Sequence, residues 1–251
     1  MNLIIDIGNT NTKAALFEGD RMVDLWSNRF DKSPEALAVY VDTLCRHYPV
    51  ERVTAAVVGQ SPRWTDVLPA ALLPHLHLVS SQSRLPFLVA YRTPETLGAD
   101  RLAVVAGARR RYAEGSLLVI DAGSCITVDY VDGDNVYRGG AILPGVAMKL
   151  QMMHTLTARL PLLEVKSDAP LVGVTTEECM MSGSVNASVL ELEGYIGRLA
   201  DEGGSMNVLM TGGDAATLLP KMCRKAERCE HLLMEGLNEL GKMNQTTTQN
   251  T

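Results

Sequence analysis

The run Asp6-Ile7-Gly8-Asn9-Thr10-Asn11-Thr12-Lys13 combines a carboxylate, a glycine, four hydroxyl or amide side chains and a lysine within one turn. A glycine there lets backbone N–H groups approach a phosphate closely. The hydroxyls and amides add neutral donors, and Lys13 supplies a positive charge. Asp6 ends an apolar strand and is placed to hold Mg²⁺, directly or through water, because that ion keeps several of its waters. Phosphoryl transfer asks for phosphate donors, a carboxylate-held cation and a base oriented at the attacking hydroxyl. The run is not a Walker A loop, since Gly-x4-Gly-Lys-Ser/Thr is absent, and no GxGxxG opens a helix.

A base is offered further on. Gly98-Ala99-Asp100-Arg101 starts a predicted helix over 97–111, which puts Asp100 in its first turn. A carboxylate there also simply complements the helix dipole. Arg101 beside it makes a second use available: a base, plus a guanidinium able to grip a carboxylate bidentately. That pair suits a substrate carrying both a hydroxyl and an acid. Tyr91 begins the proline-containing loop that leads to it. Met210-Thr211-Gly212-Gly213-Asp214 ends another strand in a Gly-Gly turn, which suits close approach of a planar or phosphate group. Thr175-x-x-Glu178 reads as a capping box. His154, alone on a predicted helix, reads as structural.

The elements that must position these residues occur twice. Strands are expected at 3–7, 13–17 and 22–28, then a helix with Ser33 as N-cap and Pro34 at its first position, then a buried strand at 53–58. Leu37, Val41, Leu44, Cys45 and Tyr48 supply the helix's apolar spacing. A second series opens at 117–120 and continues through 126–131 and 136–138. Asp6-x-Gly8 matches Asp121-x-Gly123, and Thr12 matches Thr127, both at an offset of 115, while Gly19-Asp20 matches Gly133-Asp134 one residue short. Asp-x-Gly alone is a common turn signal; its recurrence at the same place in two matching units argues for duplication. The expected fold is α/β: two duplicated βββαβα-type domains, of the ribonuclease H-like or actin-like ATPase kind, facing a cleft. The expected bounds are 1–114, 115–243 and a frayed tail at 244–251.

Composition bounds the rest. A net charge of −6 leaves no basic footprint for nucleic acid. The one basic run, Arg109-Arg110-Arg111, is expected to be a solvated helix end matched to the dipole. Apolar stretches stay under ten residues, so no membrane span is expected, and the N-terminus lacks the basic region of a signal peptide. Five scattered cysteines with no CxxC pair argue for reduced thiols in a cytoplasm.

Taken in order, these motifs resemble the type III pantothenate kinase family, within the acetate and sugar kinase/actin superfamily. The likeness rests on residues 6–13, on Tyr91 with Pro94 and Leu97-Gly98-Ala99-Asp100-Arg101, and on Asp121-Ala122-Gly123-Ser124. It continues through Gly139-Gly140-Ala141-Ile142-Leu143-Pro144-Gly145, Leu160-Pro161, Thr175-Thr176-Glu177 and Thr211-Gly212-Gly213-Asp214. The resemblance implies phosphorylation of pantothenate by Mg-ATP to 4′-phosphopantothenate, the first step of coenzyme A synthesis. It implies that residues 6–13 (Asp6, Ile7, Gly8, Asn9, Thr10, Asn11, Thr12 and Lys13) and Ser124 bind ATP, with Asp6 serving Mg²⁺. Asp100 takes the proton from the pantothenate hydroxyl, and Tyr91, Gly98, Ala99, Arg101 and Thr176 bind pantothenate. Asp121 holds a monovalent cation, K⁺ or NH₄⁺. A homodimer is implied, joined through 175–200, where Met180, Met181, Val185, Val189, Leu192, Ile196 and Leu199 make an apolar surface wider than one stripe. One departure stands out: Ser124-Cys125 replaces the family's Thr-Ala, which keeps the hydroxyl and adds a thiol. The alternatives are another kinase or phosphatase of the superfamily, or a silent nucleotide-binding regulator; intact Asp100 and Arg101 speak against the last.

Overall fold

A computed structural model describes residues 1–28, 34–58, 64–203 and 205–244. The expected N-cap Ser33 and all but the first residue of the tail 244–251 lie outside the described residues. The chain divides into two compact units, Met1–Arg111 with His231–Thr251, and Tyr112–Glu230.

The first unit contains β1 (Asn2–Ile7), β2 (Thr12–Glu18), β3 (Arg21–Asn28), α1 (Pro34–His47), β4 (Arg52–Val57), β5 (Leu76–Leu78), β6 (Leu88–Val89) and α2 (Ala99–Arg111). Its five-stranded sheet runs β3-β2-β1-β4-β5. Its first three strands form an antiparallel meander, and β4 and β5 run parallel to β1. All six residues of β1 are buried, which is why its sequence is a continuous apolar run broken only by Asn2 and Asp6 rather than an alternation. Successive side chains still face opposite ways. Leu3, Ile5 and Ile7 join Leu37, Val41 and Leu44 of α1 in one core cluster. Each such fully buried side chain is worth about 1.5–3 kcal/mol. Asn2, Ile4 and Asp6 face the other side.

The second unit contains β7 (Ser116–Ala122), β8 (Cys125–Val131), β9 (Val136–Pro144), α3 (Val146–Leu156), α4 (Thr176–Met181), a π-helical turn (Ser182–Asn186), α5 (Ala187–Gly203), β10 (Met206–Thr211), α6 (Ala215–Leu218) and β11 (Glu227–Arg228). Its strands run β9-β8-β7-β10-β11, again a meander with two parallel additions. These five strands repeat the order and directions of β3-β2-β1-β4-β5. The register corrects one detail of the expected match. Asp6 pairs with Lys13, but Asp121 pairs with Thr127. Thr127 therefore stands where Lys13 stands, not where Thr12 does. The one-residue slip seen at Gly133-Asp134 begins earlier, in a second turn that is shorter than the first.

Three further expectations are corrected. The last helix, α7 (Leu232–Met243), follows β11, yet it packs on α2 and belongs with the first unit, not with 115–243. The basic run is solvated only in part: Arg109 is buried, whereas Arg110 and Arg111 stay exposed, Arg110 pairing with Asp20 at 3.0 Å and Arg111 with Glu235 through Nη2–Oε1 at 3.0 Å and Nε–Oε2 at 3.2 Å. The apolar residues singled out in 175–200 fill their own unit's core, while Leu190 and Tyr195 stay exposed. Met180, Met181, Val185, Val189, Leu192 and Ile196 cluster with Leu118, Ile120, Val146 and Leu150, and Leu199 packs against them.

Candidate active site

The β1–β2 turn is tight. Gly8 N–H donates to the Asn11 carbonyl at 3.0 Å, and a Cβ on Gly8 would lie 3.1 Å from that oxygen. The Asn11 amide and the Ser27 hydroxyl exchange bonds at 3.0 and 3.2 Å, which ties the turn to β3. Asn9 and Thr10 stand exposed at its tip. Asp6 lies at the carboxyl end of β1, only 7% exposed, with Lys13 opposite it on the ladder; directly opposed side chains share a face.

That face is the one α2 and α7 cover. Asn2, two alternations before Asp6, accepts and donates on this side: its amide donates to Asn238 of α7 at 3.0 Å. Helix α2 in turn packs on α7. The first unit therefore brings Asp6 and the helix of Asp100 to one side of one sheet.

At the start of α2 the Asp100 carboxylate accepts the Arg101 amide through Oδ1 at 2.8 Å. A Cβ on Gly98 would sit 2.4 Å from that oxygen, so any larger residue at 98 displaces the carboxylate. Arg101 is 6% exposed, and a guanidinium is held at such depth only with polar company. Tyr91 is half-buried at the start of the loop that runs through the short 3₁₀ turn Pro94–Thr96.

In the second unit, β7 and β10 are parallel neighbours and Thr211 pairs with Asp121. Gly212 follows with φ +93°, and its Cβ would lie 2.3 Å from the Ala122 carbonyl and 2.6 Å from Asp121 Oδ1. Asp214 N–H donates to the same carbonyl at 2.9 Å. Gly145 closes the other side: its N–H donates to Ser124 O at 3.1 Å, and a Cβ would lie 2.3 Å from the Gly123 oxygen. Asp121, Gly123-Ser124 and Gly212-Gly213-Asp214 thus converge at the carboxyl ends of two parallel strands, the usual place for ligands in such sheets. Sequence reasoning gave Gly145 no task; its signal was a glycine placed between a strand end and a helix.

Thr176 stands elsewhere in that unit, exposed on a pocket of about 520 Å³ whose walls include Met153, Leu160, Val174 and Met180. The capping box is offset by one residue. Thr175 Oγ1 accepts Glu178 N–H at 3.2 Å, but Glu178 reaches back to Val174 N–H at 2.8 Å rather than to its own cap. His154 is structural, its Nδ1 bonding Leu160 O at 2.8 Å. Among the described residues no group of three or more His, Cys, Asp or Glu surrounds a metal position. A divalent ion at Asp6 would thus complete its shell with phosphate oxygens and water, as Mg²⁺ prefers. Nor, among the described residues, is any helix long and apolar enough to cross a membrane.

The profile of a family described as type III pantothenate kinase matches residues 2–198. A type III pantothenate kinase of Bacteroides fragilis is 37% identical over 96% of this chain and 97% of its own. One of Flavobacterium psychrophilum is 33% identical over 96% and 98%. Among solved structures, a conserved putative Baf family transcriptional activator from Campylobacter jejuni superposes with a TM-score of 0.61 at 20% identity, over 96% of this chain and 98% of that one. This last likeness shows the fold alone.

Proposed function

The chain belongs to the type III pantothenate kinase family, and on that premise we propose how its residues divide the work of transferring a phosphoryl group from ATP to pantothenate. The reaction gives 4′-phosphopantothenate and begins coenzyme A synthesis; ATP enters with a divalent metal. The observation that carries the division is that Asp6 and the helix of Asp100 share one face of the first sheet.

The Gly8 turn, with Asn9, Thr10, Asn11, Thr12 and Lys13, binds the ATP phosphates through backbone N–H groups, hydroxyls and the lysine charge. Asp6 meets the divalent ion, which when bound neutralises developing phosphate charge. Asp100 takes the proton from the pantothenate primary hydroxyl. Its Oδ1 is engaged by the Arg101 amide, so Oδ2 is the oxygen left for the proton. Arg101, Tyr91, Gly98 and Ala99 orient pantothenate, with Arg101 matched to its carboxylate. Ser124 contacts ATP, its hydroxyl standing where the family has threonine.

Asp121 holds the monovalent cation, K⁺ or NH₄⁺. The register supports this reading: the ladder position opposite Asp6 carries Lys13, whereas that opposite Asp121 carries Thr127. The second carboxylate thus has no lysine opposite it and is suited to a small cation. Thr176 contacts pantothenate from the pocket it lines, with the enzyme acting as a homodimer. Five free thiols suit a reducing, cytoplasmic setting.

Pantothenate-dependent ADP release, measured against sugars and polyphosphate and in Na⁺, K⁺ and NH₄⁺ buffers, tests the whole reading. The expected result is turnover on pantothenate alone, faster in K⁺ or NH₄⁺, with that preference lost in Asp121→Ala. Turnover on another acceptor, or none with ATP bound, overturns the substrate. Equal rates in all three salts overturn the cation site.

A further inference from the structure

The last helix of the chain has no part in the division of work above, yet it meets α2 with a glycine on each side of the contact. The contact between α2 and α7 is reciprocal. A Cβ on Gly236 would lie 1.8 Å from the Ala103 carbonyl oxygen, and a Cβ on Gly107 would lie 2.4 Å from the Leu232 carbonyl oxygen. Each glycine thus meets the carbonyl that stands four residues before the glycine of the other helix. Helices approach so closely only where both lack side chains, and the contact then fixes how far one can slide along the other.

The opposite face of α7 is held with equal definition to β1 and β4. Asn238 Oδ1 accepts the Asn2 amide at 3.0 Å, Asn238 Nδ2 donates to Gly19 O at 2.8 Å, and Thr54 Oγ1 donates to Asn2 Oδ1 at 3.3 Å. Asn2, Thr54 and Asn238 are all buried, and buried polar groups that satisfy one another specify a single arrangement. Gly241 allows the approach, since its Cβ would lie 2.1 Å from Thr54 Oγ1. Arg111 and Glu235 latch the two helices at the end of α2 remote from Asp100. One helix is therefore keyed to the strand that carries Asp6 near its end and to the helix that carries Asp100 in its first turn.

We propose that α7, through Gly236, is the positioning element that sets the register of α2 against β1, and so holds Asp100 in place relative to Asp6. The inference rests on the reading of Asp100 as the base. A methyl group at 236 must push α2 away by more than about 1 Å to restore ordinary van der Waals contact. A displacement of that size at a reacting group costs on the order of 100-fold in rate.

The test is Gly236→Ala in the full chain, beside Asp100→Asn, with kcat, KM for ATP, ATP binding by calorimetry and thermal melting all measured. We expect kcat to fall about 10- to 100-fold in Gly236→Ala while KM for ATP stays within about twofold. A folded Gly236→Ala with near-normal kcat overturns the inference, as does a variant that loses ATP binding and kcat together. If Asp100→Asn keeps its kcat, the base assignment falls and takes the inference with it; if only Gly236→Ala keeps its kcat, the base stands and the inference alone fails. Should Gly236→Ala not fold, Asn238→Ala loosens the same helix from β1 without a clash and is read by the same criteria. Unchanged kcat in folded Asn238→Ala is then decisive against it.

Discussion

Asp100, the proposed base, sits in a small arrangement: one carboxylate oxygen is fixed by the Arg101 amide at 2.8 Å, and Gly98 leaves that oxygen room. A general base of this kind typically contributes 10²–10⁴-fold, so Asp100→Asn should lower kcat by about that factor with fold and ATP binding kept. Near-normal kcat would remove Asp100 from the role. Asp6→Asn should behave differently: use of Mg-ATP weakens far more than pantothenate binding, and calorimetry showing the reverse would mean that the two ends of the site are exchanged. A third residue bears on pH. The hydrogen bond from Lys242 holds the Asp20 carboxyl below its ordinary value of 3.8, against a desolvation penalty and with help from Arg110. A folded-state value below the unfolded one gives stability that is fully present above the unfolded value and is lost as pH falls through the folded one. The melting temperature of the wild-type chain should therefore exceed that of Asp20→Asn at neutral pH, and the gap should close as pH drops below about 4. A gap that persists in acid would show that Asp20 acts through packing instead.

Much of the element level was legible because duplication is written in residue types: a buried apolar run, Asp-x-Gly, an antiparallel return. What escaped was register. Nothing in the residue types at 124–127 says that the second turn is shorter, so the types match Thr127 to Thr12, whereas the ladder sets it in the place of Lys13. The helix over 175–200 escaped for a related reason. Its apolar residues do follow a helical period, but a π-turn at Ser182–Asn186 rotates the face midway. Residues that look too widely spread for one stripe all reach one core. The placement of α7 escaped because helix packing between distant segments leaves only small residues, Gly107 and Gly236, as its trace. The candidate site was legible as types and order, while the closures made by Gly145 and Gly212 were not. Gly212 gives the element-scale prediction. Its φ of +93° is costly for any other residue, and a Cβ would strike the Ala122 carbonyl and Asp121 Oδ1. Gly212→Ala should lower the melting temperature by at least about 2–4 °C for each kcal/mol of strain introduced, and should blunt any response to K⁺. An unchanged melt would mean that the turn relaxes freely.

At the scale of the whole molecule the open question is what covers the segment before α4. Leu171, Val172 and Val174 are exposed, the last two at 78% and 88%. Scattered apolar residues on a surface need no explanation, but these sit on a loop that is firmly held. Ser182 Oγ donates to Leu171 O at 2.7 Å, Val174 N–H donates to Glu178, and Gly173 lies so close to α4 that a Cβ would be 2.4 Å from Cys179 N. Val174 also walls the pocket on which Thr176 stands, together with Met153 and Leu160 from the α3 side, and Leu156 and Leu162 nearby are exposed as well. An ordered apolar face beside the proposed substrate contact Thr176 is what a two-fold interface offers, since each copy then presents the same patch to the other. The homodimer proposed above is therefore better founded on this face than on the face of α5 that carries Val189, Leu192 and Ile196, which fills its own unit's core. A stable dimer of this kind buries roughly 800 Å² per partner, and a charge placed in its centre should prevent it. Val174→Glu, or Val172→Glu with Val174→Glu, should run as a monomer in size exclusion with light scattering. If the neighbour closes the Thr176 pocket, KM for pantothenate should rise about tenfold or more, as losing roughly 1.4 kcal/mol of binding requires, while KM for ATP holds. A wild-type chain that is a fully active monomer would end the proposal, and a dimer that survives both substitutions would move the interface elsewhere on the molecule.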